Sequence, residues 1–122
     1  MVSFGGLILG PGVPIYLQII RYLKRAMVAG EVWDGDEMPS RRVLSSLLGV
    51  NPNTIQRAYR LLEEERLICS RAGAKSYVTL SEAQLTQIRR QLLEDDARTL
   101  VEAMKQMGVE KQEALHLIEE LW

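Results

Sequence analysis

Apolar residues recur at three- and four-residue steps in the first half of the chain, a spacing typical of amphipathic helices. One such run opens at Pro14, and Gly30 provides a stop at its C-terminal end. A second run follows Ser40, a favourable N-cap residue, and ends at Gly49. The Asp-Gly-Asp sequence at residues 34 to 36 is a turn signal between them. The pattern therefore predicts two helices, with apolar positions at Ile15, Ile19, Tyr22, Leu23, Ala26 and Met27 and at Val43, Leu44, Leu47 and Leu48.

A third helix is predicted to begin at Asn51, whose side-chain oxygen can accept a backbone N–H of the first turn. Pro52 then occupies the first helical position, where its missing N–H costs nothing. Because only two or three residues separate this helix from the second, the two must turn sharply, as in a helix-turn-helix. Helical spacing divides the third helix into an apolar face with Ile55, Ala58, Tyr59 and Leu62 and a polar face with Asn53, Gln56, Arg57 and Arg60.

The pattern changes after Glu65 to two short β-prone segments, residues 67 to 69 and 77 to 80. A turn that contains Gly73 lies between them, which is typical of a β-hairpin. A hairpin directly after a helix-turn-helix is the wing of a winged-helix domain. Since an isolated two-stranded hairpin is only marginally stable, we expect it to lean on the three helices.

Ser81 begins the longest amphipathic pattern, with Gln84 at the capping-box position. This helix is predicted to run to about Met107, after which Gly108 ends it and a short final helix follows. The two helices together contain about forty residues and cannot bury their apolar stripes alone. Cores this small usually need oligomerisation, disulfides or bound metals for stability. We expect a partner subunit to cover the stripes in a homodimer, through Leu92, Leu100, Met104, Leu115, Ile118 and Trp122.

The predicted fold class is mostly α with a small β-hairpin. A winged helix-turn-helix spans residues 14 to 80, and a short two-helix dimerisation region spans residues 81 to 122. The composition agrees, since 47% apolar and 25% charged residues are ordinary for a soluble globular protein. Aromatic residues make up only 6%, so the core must consist mostly of Leu, Ile, Val and Met, which favours helices.

Residues 1 to 13 form an apolar, glycine-rich leader. Pro11 interrupts it before it reaches the ~20 residues of a membrane span, and it lacks the basic start of a signal peptide. We expect a flexible segment whose hydrophobic residues cover part of the core or of a subunit contact.

The charge of the chain becomes informative when the sequence is divided at Ser81. The formal net charge of the whole is −1. Residues 1 to 80 hold 10 basic and 7 acidic residues, a net charge of +3, whereas residues 81 to 122 hold 5 and 9, a net charge of −4. The segment from Arg41 to Lys75 contains seven basic residues, and its only acidic residues are the three glutamates at 63 to 65. This local excess of positive charge is typical of a nucleic-acid surface.

The polar face of the third helix carries two cations and two amide side chains and no acid, which suits base edges and phosphates. Gln56 and Arg57 are predicted to contact bases, because they lie one to one and a half turns into the helix. Asn53 and Thr54 in the first turn are predicted phosphate ligands, as are Arg42, Arg60, Arg71 and Lys75. The alternative is an ordinary solvated helix face.

Cysteine and histidine usage argues against a metal site. Cys69 is the only cysteine, so no intrachain disulfide can form, and a reducing compartment, the cytoplasm, is expected. His116 is also alone, without Cys or His partners at ligand spacing, so we expect no metal and no cofactor.

An enzyme is not expected, because no convergent set of acids, bases or nucleophiles is present. The acidic runs at 63 to 65 and 94 to 96 are best interpreted as solvated helix surface. A second alternative is a winged helix that recruits a protein partner without binding DNA sequence-specifically. The basic wing and the acid-free helix face argue against it.

The chain resembles the GntR family of bacterial transcription regulators, and within it the YtrA-type branch with a short helical C-terminal region. The resemblance covers residues 14 to 122. It rests on three segments, Pro14-Ile15-Tyr16-Leu17-Gln18-Ile19, Met38-Pro39-Ser40-Arg41-Arg42-Val43-Leu44 and Leu48 to Tyr59, and continues in Leu62-Glu63 and Leu67-Ile68.

The resemblance implies a DNA-binding homodimer, most commonly a repressor. In it Arg42 and the start of the third helix contact the operator, and the wing glycine region at Ala72-Gly73 lies near the minor groove. The chain departs from the family pattern at three places. Arg66 stands where glycine is common, Ala74-Lys75 replaces a second wing glycine, and Pro52 replaces an arginine that contacts DNA in other branches.

Overall fold

The computed structural model describes residues 1–71, 73 and 75–122. Over these residues the chain forms five helices and one two-stranded antiparallel sheet, which confirms the predicted fold class. It divides into two compact units, Met1–Ile88 and Arg89–Trp122. In chain order the elements are α1 (Ile15–Val28), α2 (Arg41–Leu48), α3 (Pro52–Glu64), β1 (Ile68–Ser70), β2 (Ser76–Val78), α4 (Glu82–Gln106) and α5 (Lys111–Leu121).

The helix-turn-helix is built by local capping, as the sequence predicts. Ser40 Oγ accepts a hydrogen bond from the Val43 amide at 3.1 Å and so caps α2. Asn51 Oδ1 accepts one from the Asn53 amide at 2.8 Å and caps α3. Between the helices, Gly49 adopts the left-handed conformation, with φ of 65°, which glycine reaches without steric cost. These caps determine where α3 begins.

Helix α3 is the centre of the first unit and packs against α1, α2 and β1. Its predicted apolar face, Ile55, Ala58, Tyr59 and Leu62, is completely buried. Each large apolar side chain buried in this way contributes roughly 1.5–3 kcal/mol. The Tyr59 hydroxyl donates a 2.6 Å hydrogen bond to the Pro39 carbonyl, and burial raises the pKa of Tyr59 above its ordinary value. Tyr59 therefore remains a neutral donor that ties α3 to the segment before α2.

The hairpin pairs Ile68 with Val78 and Ser70 with Ser76. The first strand has the predicted length but begins one residue later, because Leu67 is used in the turn after α3, and the second begins one residue earlier and is one residue shorter than predicted. The segment before α2 supports the hairpin from its other edge, where the Met38 amide donates to the Ser76 carbonyl at 2.8 Å. The hairpin is therefore not isolated in the first unit, as the marginal stability of two strands requires.

The leader is anchored at two places. Val2 and Phe4 are buried, and the Phe4 ring lies 5.5 Å from the ring of Tyr22 on α1, centroid to centroid. Gln18 holds the following loop, because its Nε2 donates to the carbonyls of Gly10 at 2.8 Å and Val13 at 2.7 Å. The Gly10 amide donates back to Gln18 Oε1 at 2.9 Å. Val2 and Phe4 of the leader thus cover part of the core of the first unit, whereas Ile8 is exposed.

The turn after α3 is strained at Arg66, which has φ of 61°, a conformation that side chains other than glycine rarely adopt. The helix ends in a Schellman motif. In it the Leu67 amide donates to the Leu62 carbonyl and the Arg66 amide to the Glu63 carbonyl, both at 2.9 Å. The resemblance indicates glycine at this position, and the observed conformation explains why glycine suits it.

The second unit, Arg89–Trp122, contains the remainder of α4, a turn and α5. Gly108 has φ of 73° and ends α4 as predicted. Between the two helices lies a cavity of about 290 Å³, lined mainly by apolar side chains that include Met104, Met107 and Leu117. No helix within the described part of the chain is both long and apolar enough to span a membrane.

Candidate nucleic-acid interface

The polar face of α3 is open to solvent. Asn53, Gln56, Arg57 and Arg60 are exposed, and Thr54 is half-buried in the first turn. The face begins at the capped N-terminus, where unpaired backbone N–H groups and the helix dipole favour negative charge. Its chemistry therefore combines an anion-attracting end with amide and guanidinium groups that can hydrogen-bond to bases.

Arg57 is held by an aromatic ring from another helix. Its guanidinium carbon lies 4.0 Å from the ring centroid of Tyr16 on α1, and its Nη2 is 3.4 Å from the Tyr16 hydroxyl oxygen. The hydrogen bond is long, so the ring contact is the stronger restraint. Tyr16 is not among the predicted DNA-binding residues, and no sequence signal relates it to a residue 41 positions away.

The two consecutive arginines at the start of α2 have different environments. Arg41 forms a 2.9 Å ion pair with Glu63, and its guanidinium lies 5.0 Å from the Tyr59 ring centroid. Arg41 therefore has a structural role, because its contacts connect α2 to α3. Arg42 is exposed, and within the described residues it has no ion-pair partner. Of the two, Arg42 is the one whose charge is free for a phosphate, as the resemblance implies.

Two of the three glutamates at the C-terminal end of α3 pair with cations of the chain, and the third, Glu64, is exposed. Glu63 pairs with Arg41, and Glu65 pairs with Lys24 of α1 at 3.1 Å. These two acids follow Arg60, the last residue of the polar face, by three and five positions. The N-terminal two turns of α3 therefore present positive charge without a nearby carboxylate to oppose DNA phosphates.

The hairpin carries three further predicted DNA-binding residues, Arg71, Gly73 and Lys75. Arg71 lies over the Tyr77 ring, with 4.6 Å between the guanidinium carbon and the ring centroid. Lys75 is exposed and lies 3.7 Å from Glu37, a separation at which surface ion pairs contribute little. Gly73 is exposed with φ of 80°. Ala72 and Ala74, which belong to the predicted wing tip, lie outside the described residues.

The predicted dimerisation residues lie in the second unit and are at least partly accessible. Leu100 and Leu115 are 43% and 48% exposed, and Trp122 is fully exposed. Leu92, Met104 and Ile118 are half-buried. Exposure of large apolar side chains to water is unfavourable, so burial of these residues against another surface would be favoured.

Cys69 is half-buried, opposite Tyr77 in the hairpin. Over the described residues, no group of three or more His, Cys, Asp or Glu side chains is arranged to hold a metal ion. His116 forms a surface pair with Glu120, one turn further along α5.

A capped helix-turn-helix with an acid-free polar face, followed by a hairpin wing, defines a winged-helix DNA-binding protein. The sequence pattern described as "Bacterial regulatory proteins, gntR family" matches residues 15–78, more than half of the chain. The protein therefore belongs to the GntR family of bacterial transcription regulators. The family is one of regulators and not of enzymes, which confirms the exclusion of catalysis made from the sequence.

Similar proteins agree with this assignment. The chain is 39% identical over 85 residues to the HTH-type transcriptional repressor YtrA of Bacillus subtilis (strain 168). That alignment covers 65% of each protein, just under two thirds of the relative's length, and supports the YtrA-type resemblance.

Solved structures extend the similarity to almost the whole chain. A GntR family transcriptional regulator from Listeria monocytogenes has a TM-score of 0.80 at 30% identity, over 92% of this chain and 98% of that one. The DNA-binding domain of AraR in complex with operator ORX1 has a TM-score of 0.53 at 25% identity. That match covers 60% of this chain and 93% of the AraR domain.

Proposed function

We propose that this regulator represses transcription by binding an inverted-repeat operator as a homodimer, with the exposed face of α3 in the major groove. The observation that carries the proposal is the separation of charge on α3. The exposed face has two arginines and two amides, whereas the three glutamates follow at its far end, where Glu63 and Glu65 are paired with Arg41 and Lys24 and Glu64 is exposed. If the N-terminal half of the helix enters the groove, the residues that contact DNA are the arginines and amides, and the glutamates lie away from it.

Within this surface, Gln56 and Arg57 are the proposed base-contacting residues. Gln can bond adenine bidentately, and Arg can bond guanine in the same way. The phosphates next to these bases are proposed to be bound by Asn53, Thr54, Arg42 and Arg60. The wing is proposed to contact the flanking backbone or the minor groove through Arg71, Gly73 and Lys75. Phosphate contacts position a protein on DNA without distinguishing its sequence.

The dimer is proposed to form through residues 81 to 122. Its support is the exposure of Leu100, Leu115 and Trp122, together with the limited core that two helices can build. Two-fold symmetry of the protein would be mirrored in an inverted-repeat operator. Repression is proposed from the similarity to YtrA, which is named a repressor.

The DNA-binding part of the proposal is tested by fluorescence anisotropy with a random duplex and with a duplex selected from a random pool. We expect weak, steeply salt-dependent binding to the random duplex, because phosphate contacts release counterions. The selected duplex should bind roughly 10³-fold more tightly or better at the same salt. Equal affinity for both duplexes would contradict sequence-specific binding.

The dimer is tested by sedimentation of a Leu100→Glu, Leu115→Glu double variant. Both side chains are already partly exposed in the single chain, so the substitutions should spare its fold and act on association. We expect the wild type to sediment as a dimer and the double variant as a monomer. Leu47→Glu, a matched change at a residue of α2 that is 59% exposed in the first unit, is the control and should remain dimeric. A dimeric double variant would refute the assigned interface.

A further inference from the structure

The contact between Tyr16 and Arg57 joins the first turn of α1 to the exposed face of α3. The guanidinium carbon is 4.0 Å from the ring centroid, which is within the range of a cation–π interaction. The two residues lie on different helices that pack together, so the contact belongs to the tertiary structure. Tyr16 is half-buried, whereas Arg57 remains exposed.

We propose that Tyr16 is a positioning residue for DNA recognition: its ring holds the Arg57 guanidinium in the orientation that contacts the edge of a guanine. The proposal rests on the base-contacting role proposed for Arg57 and deepens it. It makes a residue of α1, outside the helix-turn-helix, a determinant of operator specificity.

The physical reason lies in the shape of the guanidinium group. An aromatic ring contacts the face of the planar group, whereas bidentate hydrogen bonds to guanine O6 and N7 come from N–H groups in its plane. A ring that lies over the guanidinium group therefore leaves donors in its plane available to the base. It also restricts the rotamers of a long side chain before binding, which lowers the entropy lost when the complex forms.

The charge of Arg57 is also preserved. Arg41 is the contrasting case, since its contact with an aromatic ring is combined with the Glu63 carboxylate, which neutralises it. Within the described residues Arg57 has no acidic partner, and the neutral ring of Tyr16 orients the guanidinium without competing for its charge. Tyr16 thus supplies orientation alone, which is what a base-contacting arginine needs.

The backbone that carries Tyr16 is itself restrained. The next turn of α1 is buried through Ile19 and Ile20, and Gln18 bonds to the leader at Gly10 and Val13. The ring therefore sits on an anchored turn. A platform of this kind can hold a partner side chain in place, which a ring on an unanchored turn could not do.

The test is a double-mutant cycle measured by anisotropy on the selected operator and its single-base variants. The position contacted by Arg57 is defined as the one at which Arg57→Ala loses discrimination, by about five-fold or more. At that position, Tyr16→Leu should reduce discrimination by roughly two- to five-fold. Tyr16→Phe keeps the aromatic ring and should therefore retain wild-type discrimination at that position. In the Arg57→Ala background, Tyr16→Leu should cause no further loss.

Tyr77→Leu is the matched control, because it removes the ring beneath Arg71, a proposed phosphate contact. It should weaken binding to all operator variants alike. Tyr16→Met, a flexible side chain that can fill the space between the helices, replaces Tyr16→Leu if that variant does not fold by circular dichroism.

Two results would overturn the positioning role. One is unchanged discrimination in Tyr16→Leu or Tyr16→Met. The other is a loss that is equal for all bases and persists in the Arg57→Ala background, as expected if Tyr16 contacts a phosphate or only supports the fold. Either result leaves the defect of Arg57→Ala intact. If Arg57→Ala itself retains discrimination at every position, the proposed role of Arg57 fails, and that of Tyr16 with it.

Discussion

The side-chain amide of Gln84 donates a hydrogen bond from Nε2 to the main-chain carbonyl of Arg66 at 3.1 Å. The same side chain accepts, through Oε1, the Ser81 amide at 2.9 Å, and Ser81 Oγ accepts the Gln84 amide at 3.2 Å. This is the capping box that the sequence predicts at the start of α4. One residue therefore caps α4 and ties its first turn to the turn that follows α3.

Replacing Gln84 with Ala should lower the free energy of unfolding by about 1–2 kcal/mol, because the cap and the bond to Arg66 are lost together. The measurement is the urea midpoint at constant slope. Gln91→Ala is the matched control. Gln91 lies on the same helix, and its side-chain bond within the described residues is to the exposed Asp95, so its loss should cost less than about 0.5 kcal/mol. Equal costs for the two variants would argue against the link.

Replacing Arg66 with glycine should stabilise the protein. The residue holds φ of 61°, which costs a non-glycine side chain on the order of 1 kcal/mol, partly offset by the greater entropy of an unfolded glycine. We expect Arg66→Gly to gain up to about 1 kcal/mol in urea unfolding. Arg66→Ala removes the same charge but keeps the strain, so it separates the two effects. If Arg66→Ala is as stable as Arg66→Gly, backbone strain at this residue does not explain the gain.

The Gln18 side chain should control the order of the leader. Gln18→Ala removes its hydrogen bonds to Gly10 and Val13, so the Gly10 amide should exchange its hydrogen faster by hydrogen–deuterium exchange. Amides of α3 should be unaffected. Gln112→Ala, at an exposed position on α5, is the control. Unchanged exchange at Gly10 in Gln18→Ala would show that Val2 and Phe4 alone anchor the segment.

The parts of the fold that follow local rules could be predicted from the sequence. The Asn51 cap, the apolar face of α3 and the stop at Gly49 depend on residues a few positions apart, and all three appear as expected. The strand limits were less exact, because Leu67 is taken up by the turn after α3. The sequence showed that the leader is apolar. Its apolar residues do not recur with the period of a helix or a strand, so the sequence could not predict which of them are buried.

Contacts between distant residues could not be predicted in this way. Tyr16 meets Arg57, Arg41 meets Glu63, and Gln84 meets Arg66 only because the helices bring them together. Each pair depends on interhelical packing, which a single sequence does not encode in its local spacing. The different environments of Arg41, which pairs with Glu63, and Arg42, which is exposed, could not be predicted either, because the two arginines are adjacent in one motif.

The central claim, that the exposed face of α3 recognises operator sequence, is tested most directly by affinities of four variants across all single-base operator changes. Gln56→Ala and Arg57→Ala should each lose about 1–3 kcal/mol of discrimination at one position per half-site. Arg60→Ala and Lys75→Ala should weaken binding to every operator alike and reduce the salt slope by about one per phosphate contact, or two in a dimer. The claim is contradicted if Gln56→Ala and Arg57→Ala keep wild-type discrimination while Arg60→Ala or Lys75→Ala alters it.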